Sequence, residues 1–283
     1  MAVAENLDAL LARAKLIRKD ILRMTTEAGS GHPSSSLSAT EVVTALYFGG
    51  FLKIDPKNPH EPNRDRFILS KGHAAPVIYA ALGQLGFFPH EEIMTLRKLG
   101  SPLEGHPNMV RLPGVEASTG SLGQGLSMGV GHALAARVDK RDYHTYVMTG
   151  DGEIDQGQIW EAAATAAKYA LDNLTLIVDR NHFQQTGAAE EVLNMDPIDG
   201  KLTAFGWSTQ VINGNDMGEV LTALNRAKAV KGRPTAIVSL THKGQGILTL
   251  LAKLGDMNFH GKPVPANYLD EALAEVDGGV LTK

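Results

Sequence analysis

Residues 145–158 read TYVMTGDGEIDQGQ, an apolar run of strand character that leads straight into an aspartate between two glycines. Further acids and amides follow Asp151, at positions where a GxxxxGK phosphate loop would carry its lysine. The next apolar run, LTLIVD at residues 174–179, ends into Asn181, which lies 181 − 151 = 30 residues beyond the aspartate. Such a gap is about one strand–helix–strand unit, so Asp151 and Asn181 are expected side by side at one edge of a parallel sheet. Working outward, strand candidates at Arg66–Ser70, Thr145–Thr149, Leu174–Asp179, Trp207–Ile212 and Thr235–Leu240 alternate with helical stretches near 73–85, 90–99, 123–138, 157–170 and 216–231. This alternation predicts an α/β fold, a mostly parallel sheet with helices on both faces. Ligands of such sheets sit beyond the carboxyl ends of the strands.

Upstream, Leu7, Leu10, Leu11, Ala14, Ile17, Ile21 and Leu22 form one stripe at helical spacing, predicting a helix from about residue 6 to about 28 that Gly29 and Gly31 terminate. Ser38 and Glu41 have capping-box spacing, so a second helix is expected to start there. The segment KIDPKNPHEPNRD, with Pro56, Pro59 and Pro62, reads as a surface loop. No repeat, low-complexity tract or linker interrupts the 283 residues, so residues 1–283 are read as a single domain. An apolar fraction of 43% with 20% charge suits a sizeable core. The net charge of −4, without a basic block, gives no footprint for nucleic acid. No apolar run approaches the roughly 18–20 residues of a membrane helix, and the N-terminal helix lacks the form of a signal peptide. With no cysteine, disulfides and thiolate chemistry are excluded, and a cytoplasmic location is expected.

A carboxylate beside an amide oxygen makes a hard-ligand pair suited to Mg²⁺, which completes its octahedron with phosphate and water. Gly150 and Gly152 let backbone approach a phosphate, and a helix starting near Gly157 offers its positive end to the same anion. The pattern suggests Mg²⁺-bridged diphosphate binding without any lysine. The plainer alternative is a turn in which Asp151 caps a helix. Of the ten histidines, His32, His73 and His106 each follow a glycine at a loop or helix start, where an imidazole has room to reach a ligand. The loop Ser118–Gly125, STGSLGQG, matches neither common phosphate motif and reads equally as a tight turn into a helix packed through Gly125, Gly129 and Ala133.

GDGEIDQGQ followed by DRNH resembles the thiamine-diphosphate fingerprint, and SGHPSSSLSATEVVTALYF, ILSKGHAAPVIYAAL, EGHPN and EASTGSLGQGLSMGVGHALA together resemble the N-terminal, diphosphate-binding half of transketolases. The resemblance runs from about residue 15 to about 263. It implies the thiamin diphosphate-binding fold of the PP type, thiamine diphosphate with Mg²⁺ (or Ca²⁺ or Mn²⁺) as cofactors, and two-carbon ketol transfer from a ketose to an aldose. Gly150, Asp151, Gly152, Glu153, Asn181, His73, Gly120, Ser121 and Leu122 would meet the cofactor. Asp151, Asn181 and the Phe183 carbonyl would hold the metal, while His32, His106 and His260 would face the sugar.

The resemblance also implies what must come from elsewhere. The glutamate that activates the cofactor belongs to a pyrimidine-binding half, expected on a C-terminal partner subunit in an α2β2 assembly that acts on sugar phosphates. Where the family carries an interface glutamate after GDG this chain has Gln156, while Glu161 is retained; an amide cannot ionise, which puts proton-linked coupling between active sites in doubt. The QGQ spelling is similar to the α subunit of 2-oxoacid dehydrogenases, which stands as one alternative; a catalytically silent cofactor-binding module is another. Those α subunits lack the GHP, SKGHA and EGHP histidines.

Overall fold

The computed structural model describes residues 4–279. Five strands, β1 (Arg66–Leu69), β2 (Thr145–Gly150), β3 (Leu174–Arg180), β4 (Ser208–Asn213) and β5 (Thr235–Leu240), pair in parallel in the order β1-β2-β3-β5-β4. The helices are α1 (Leu7–Ala28), α2 (Pro33–Leu37), α3 (Thr40–Phe48), α4 (Ala75–Leu85), α5 (Gln124–Val138), α6 (Gly157–Lys168), α7 (Ala189–Val192), α8 (Ile198–Ala204), α9 (Met217–Ala229), α10 (Leu248–Leu254) and α11 (Leu269–Gly278).

Strand side chains alternate between two apolar layers, as the period of two requires. Tyr146 and Met148 of β2 join a core built with α1, α3, α4, α9 and α11. Val147 joins a second core, formed with α5, α6 and α8. The sheet is therefore covered on both faces, and its strand ends converge at one edge. No helix among the described residues is long and apolar enough to cross a membrane.

Three expectations need correction. Ser38 and Glu41 do not form a capping box: α3 starts at Thr40, with Ala39 at its N-cap and no side-chain cap. Glu41 is instead fully buried in an ion pair with Arg18, and Ser38 Oγ donates to Asp179 Oδ2 at 2.6 Å. A buried arginine needs a carboxylate partner, and the Ser38 N–H already bonds the Ser34 carbonyl of the preceding turn, so it needs no capping glutamate. The stretch 90–99 is a 3₁₀ turn over His90–Thr95, after which Arg97 takes φ +59 and leaves the helical path. Its buried residues Ile93 and Leu96 are three apart, the repeat that a 3₁₀ turn satisfies. The helices α2, α7, α8, α10 and α11 were not expected: α7, α8, α10 and α11 bury only one or two residues each, and α2, though wholly buried, is mostly serine and shows no apolar period.

Candidate active site

Gly150 lies opposite Asp179 in the β2–β3 ladder, so the loops carrying Asp151 and Asn181 emerge together, as their spacing predicts. Asp151 is buried, and Oδ2 accepts hydrogen bonds from the His182 N–H (2.7 Å) and Arg180 Nη1 (3.0 Å), Oδ1 from the Gly152 N–H (2.9 Å). It caps no helix. Burial and the charge of Asp179 push its pKa up, against the pull of Arg180 and the His182 N–H. Asn181 Nδ2 donates to Asp179 Oδ2 at 3.2 Å, which orients the amide so that Oδ1 accepts from the Phe183 N–H at 3.2 Å. Asp151, Asn181 and Phe183 all line a cavity of about 440 Å³ at the carboxyl edge of the sheet.

Four loops bring His32, His73, His106 and His260 to the same cavity. His32 stands at the N-cap of α2 just before Pro33, and His73 sits in a 3₁₀ turn that follows β1. The rings of His32, His73 and His260 form a triangle, with centroids 5.1, 4.9 and 5.4 Å apart. Burial lowers the pKa of all four. His32 falls to about 4, helped by Arg97, His106 and Lys243; His260 falls to about 3, helped by Lys243, His32 and Lys71. His73 lies well below its ordinary value through burial and Lys71, and His106 is lowered by burial and Arg97. At neutral pH these are uncharged imidazoles, able to donate or accept a proton.

Backbone proximity shapes the opposite wall. A Cβ on Gly72 would fall 2.7 Å from the Thr119 carbonyl carbon, so the SKGHA and STG segments touch there. Gly120, at φ +145, lies under His106, whose ring would stand 2.8 Å from an added Cβ. Gly120 and Leu122 line the cavity, whereas exposed Ser121 accepts from Gln124 Nε2 at 3.2 Å and is not among its lining residues. Gly150 and Gly152 line it too. Buried Glu153 ties this wall together: it takes the Ser70 hydroxyl, the Gly123 N–H (2.9 Å) and the Gly150 N–H (3.1 Å). Gln156 is exposed at the cavity rim, and Glu161 is exposed on α6 away from it. Among the other histidines, His90 pairs with buried Asp20, His144 bonds Thr175 and His182 bonds Glu190.

The expectation of a lysine-free site is overturned by Lys71 and Lys243, both buried and both lining the cavity. Lys71 pairs with Asp179 and donates to the Ser35 carbonyl at 2.7 Å; against burial, which pushes Asp179 up, the charge and hydrogen bond of Lys71 together with the Ser38 and Thr241 hydroxyls hold it below the usual carboxylate range. Lys243 stands three residues beyond β5 and contacts Asn258 Oδ1 (2.6 Å) and His260 Nδ1 (3.0 Å). Burial and Lys71 push it down to about 8. The rule that found Asp151 and Asn181, polar residues just after strands, would have found both lysines; a search for a GK dipeptide missed them because the cations come from different strands. Asp155 and Gln184, bonded to each other at 2.7 Å, are lining residues with no sequence signal.

Comparisons with known proteins agree with this geometry. The family model "Transketolase, thiamine diphosphate binding domain" matches residues 11–275. One of the subunits of the apulose-4-phosphate transketolase of Phocaeicola vulgatus is 40% identical over 273 residues, covering 96% of this chain and 95% of its own. The 6-deoxy-6-sulfo-D-fructose transketolase subunit SqwG of Clostridium sp. (strain MSTE9) is 44% identical over 246 residues, covering 87% and 89%. A crystal structure of Campylobacter jejuni transketolase superposes with a TM-score of 0.89 at 31% identity, over 96% of this chain and 43% of that one. The chain spans 44% of the length of the first curated transketolases it matches. Its parallel sheet, the paired strand ends at Asp151 and Asn181 and the family match place this chain among the thiamine diphosphate binding domains of transketolases.

Proposed function

We propose that this chain is the diphosphate-binding subunit of a thiamine diphosphate- and Mg²⁺-dependent transketolase that moves a two-carbon ketol unit from a ketose to an aldose, with a pyrimidine-binding partner subunit completing each active site. The observation that carries this reading is the meeting of the Asp151–Asn181 edge with the His32–His73–His260 triangle in one cavity. Bound thiamine diphosphate supplies an electron sink for carbon–carbon cleavage.

The residues suit that cofactor. Among the described residues no three His, Cys, Asp or Glu side chains are grouped to hold a metal. A divalent cation between Asp151, Asn181 Oδ1 and the Phe183 carbonyl would therefore draw further oxygens from a bound diphosphate, the habit of Mg²⁺. Lys243, whose polar partners Asn258 and His260 are both neutral, suits an anion in the same cavity. His32 Nδ1 is buried without a partner and is free to take a ligand hydrogen bond. Neutral His32 and His106 can relay protons from sugar hydroxyls, His73 can contact the cofactor and His260 can bond the substrate carbonyl. Two relatives of nearly equal length are named for sugars bearing phosphate and sulfo groups, which supports a ketose with an anionic end as the substrate class.

The test is turnover of ketose phosphates by the chain alone and by the chain co-purified with its partner. Activity that needs both chains, thiamine diphosphate and Mg²⁺ is the expected result. Unaided turnover overturns the split-subunit reading, and pyruvate consumption without ketose turnover overturns the reaction.

A further inference from the structure

Lys243 and His260 are joined by a contact whose direction chemistry dictates. Lys243 Nζ lies 3.0 Å from His260 Nδ1 and 2.6 Å from Asn258 Oδ1. The Asn258 amide is oriented by its other end, since Nδ2 donates to the Gln184 (3.1 Å) and Gln185 (3.3 Å) carbonyls. Oδ1 is therefore the atom that meets Lys243, and it can only accept. An ammonium has three donors and no acceptor. The His260 nitrogen facing it must then be the unprotonated one.

We propose that Lys243 is a positioning residue that fixes His260 as the Nε2–H tautomer, so that His260 meets the substrate as a hydrogen-bond donor and not as a base. The consequence for the sugar rests on the transketolase reading; the tautomer itself rests on geometry alone. Lys243 is buried at the carboxyl end of the sheet, where its second partner, Asn258 Oδ1, is an acceptor only and the charges of Asp151, Asp179 and Asp256 favour its ammonium form against burial. With Nδ1 tied back, Nε2 is the nitrogen left to the cavity that His260 lines. A fixed donor there polarises a carbonyl oxygen and needs no reorganisation when charge develops on it. His32, whose Nδ1 has no partner, carries no such constraint and is the better candidate for moving a proton. The two facing imidazoles, 4.9 Å apart, thus differ in role because only one has a lysine behind it.

The experiment is ¹⁵N NMR of histidine-labelled full-length chain assembled with its partner at neutral pH, read alongside turnover. Wild type is expected to show His260 protonated at Nε2 and bare at Nδ1. Lys243→Met should introduce a second tautomer and lower kcat on the order of tenfold, part of the roughly 10²-fold that one oxyanion donor contributes. Lys243→Arg keeps a donor and should restore the single tautomer. A wild-type Nδ1–H signal overturns the proposal, as does a Lys243→Met protein with an undivided Nε2–H signal and wild-type kcat. If Lys243→Met does not fold, the wild-type and Lys243→Arg spectra decide alone. The NMR arm needs no turnover: a failed transketolase assay leaves the tautomer result standing, and a wrong tautomer leaves the transketolase reading untouched.

Discussion

Arg180 Nη1 sits 3.0 Å from Asp151 Oδ2, so the carboxylate proposed to hold the metal already has a cationic partner. The same guanidinium reaches Glu190 and Asp196, each at 2.7 Å, tying Asp151 to the segment beyond Phe183. Asp151→Asn is expected to abolish Mg²⁺-dependent cofactor binding to the assembled complex in calorimetry while the fold survives, because Arg180 keeps two carboxylates. Unchanged affinity would refute the metal role.

His106 is exposed and rests on Gly120 in the wall of the cavity. His106→Ala should leave cofactor affinity intact and lower turnover by about 10²-fold, the lower end of what a positioned acid–base group contributes. Wild-type turnover sinks the substrate-side assignment.

Arg97 donates to Ser30 Oγ at 3.1 Å, and an added Cβ on Gly105 would fall 2.9 Å from its guanidinium carbon, so it bridges the loops of His32 and His106. Its charge lowers both imidazoles. Arg97→Gln should raise both pKa values, which histidine NMR titration reads directly. Values that stay put or fall contradict this account.

The helix α5 approaches the sheet through glycine. A Cβ on Gly125 would overlap the Ser70 side chain and lie 2.8 Å from its Cα, where backbone must move. Gly125→Ala should cost about 1–3 kcal/mol, as overpacked cores do. A urea midpoint equal to wild type would show that the contact relaxes freely.

Acid should weaken the fold through the histidine cluster. His32 and His260 are held at about 4 and about 3, burial being the largest cause, against an ordinary value of 6.5. Between those limits the unfolded chain binds more protons than the native one, so stability rises with pH. Their contribution is complete above the unfolded value and is lost as pH falls through about 4 and then about 3. Tm should drop on acidification from neutrality, less steeply in a His32→Gln/His260→Gln double variant. Equal slopes would assign the acid sensitivity to other groups.

The amino-acid sequence by itself determined the sheet, because buried parallel strands must be short apolar runs, and it determined the meeting of Asp151 with Asn181, because one strand–helix–strand unit has a fixed length. It also marked His32, His73 and His106 through the glycines that make room for them. Tertiary structure alone decided which groups lie behind those residues. Ser38 and Glu41 have the spacing of a cap, yet Asp179 and Arg18 claim them from 141 and 23 residues away, since a buried charge needs its partner and the Ser38 N–H is already bonded to the Ser34 carbonyl. Lys71 and Lys243 reach one cavity from separate strands, and Lys243 touches His260 only because the segment after α10 folds back over the end of β5. Local spacing encodes which residues leave a strand together; the partner that sets a side chain's charge or tautomer is a contact across the fold, and no local pattern carries it.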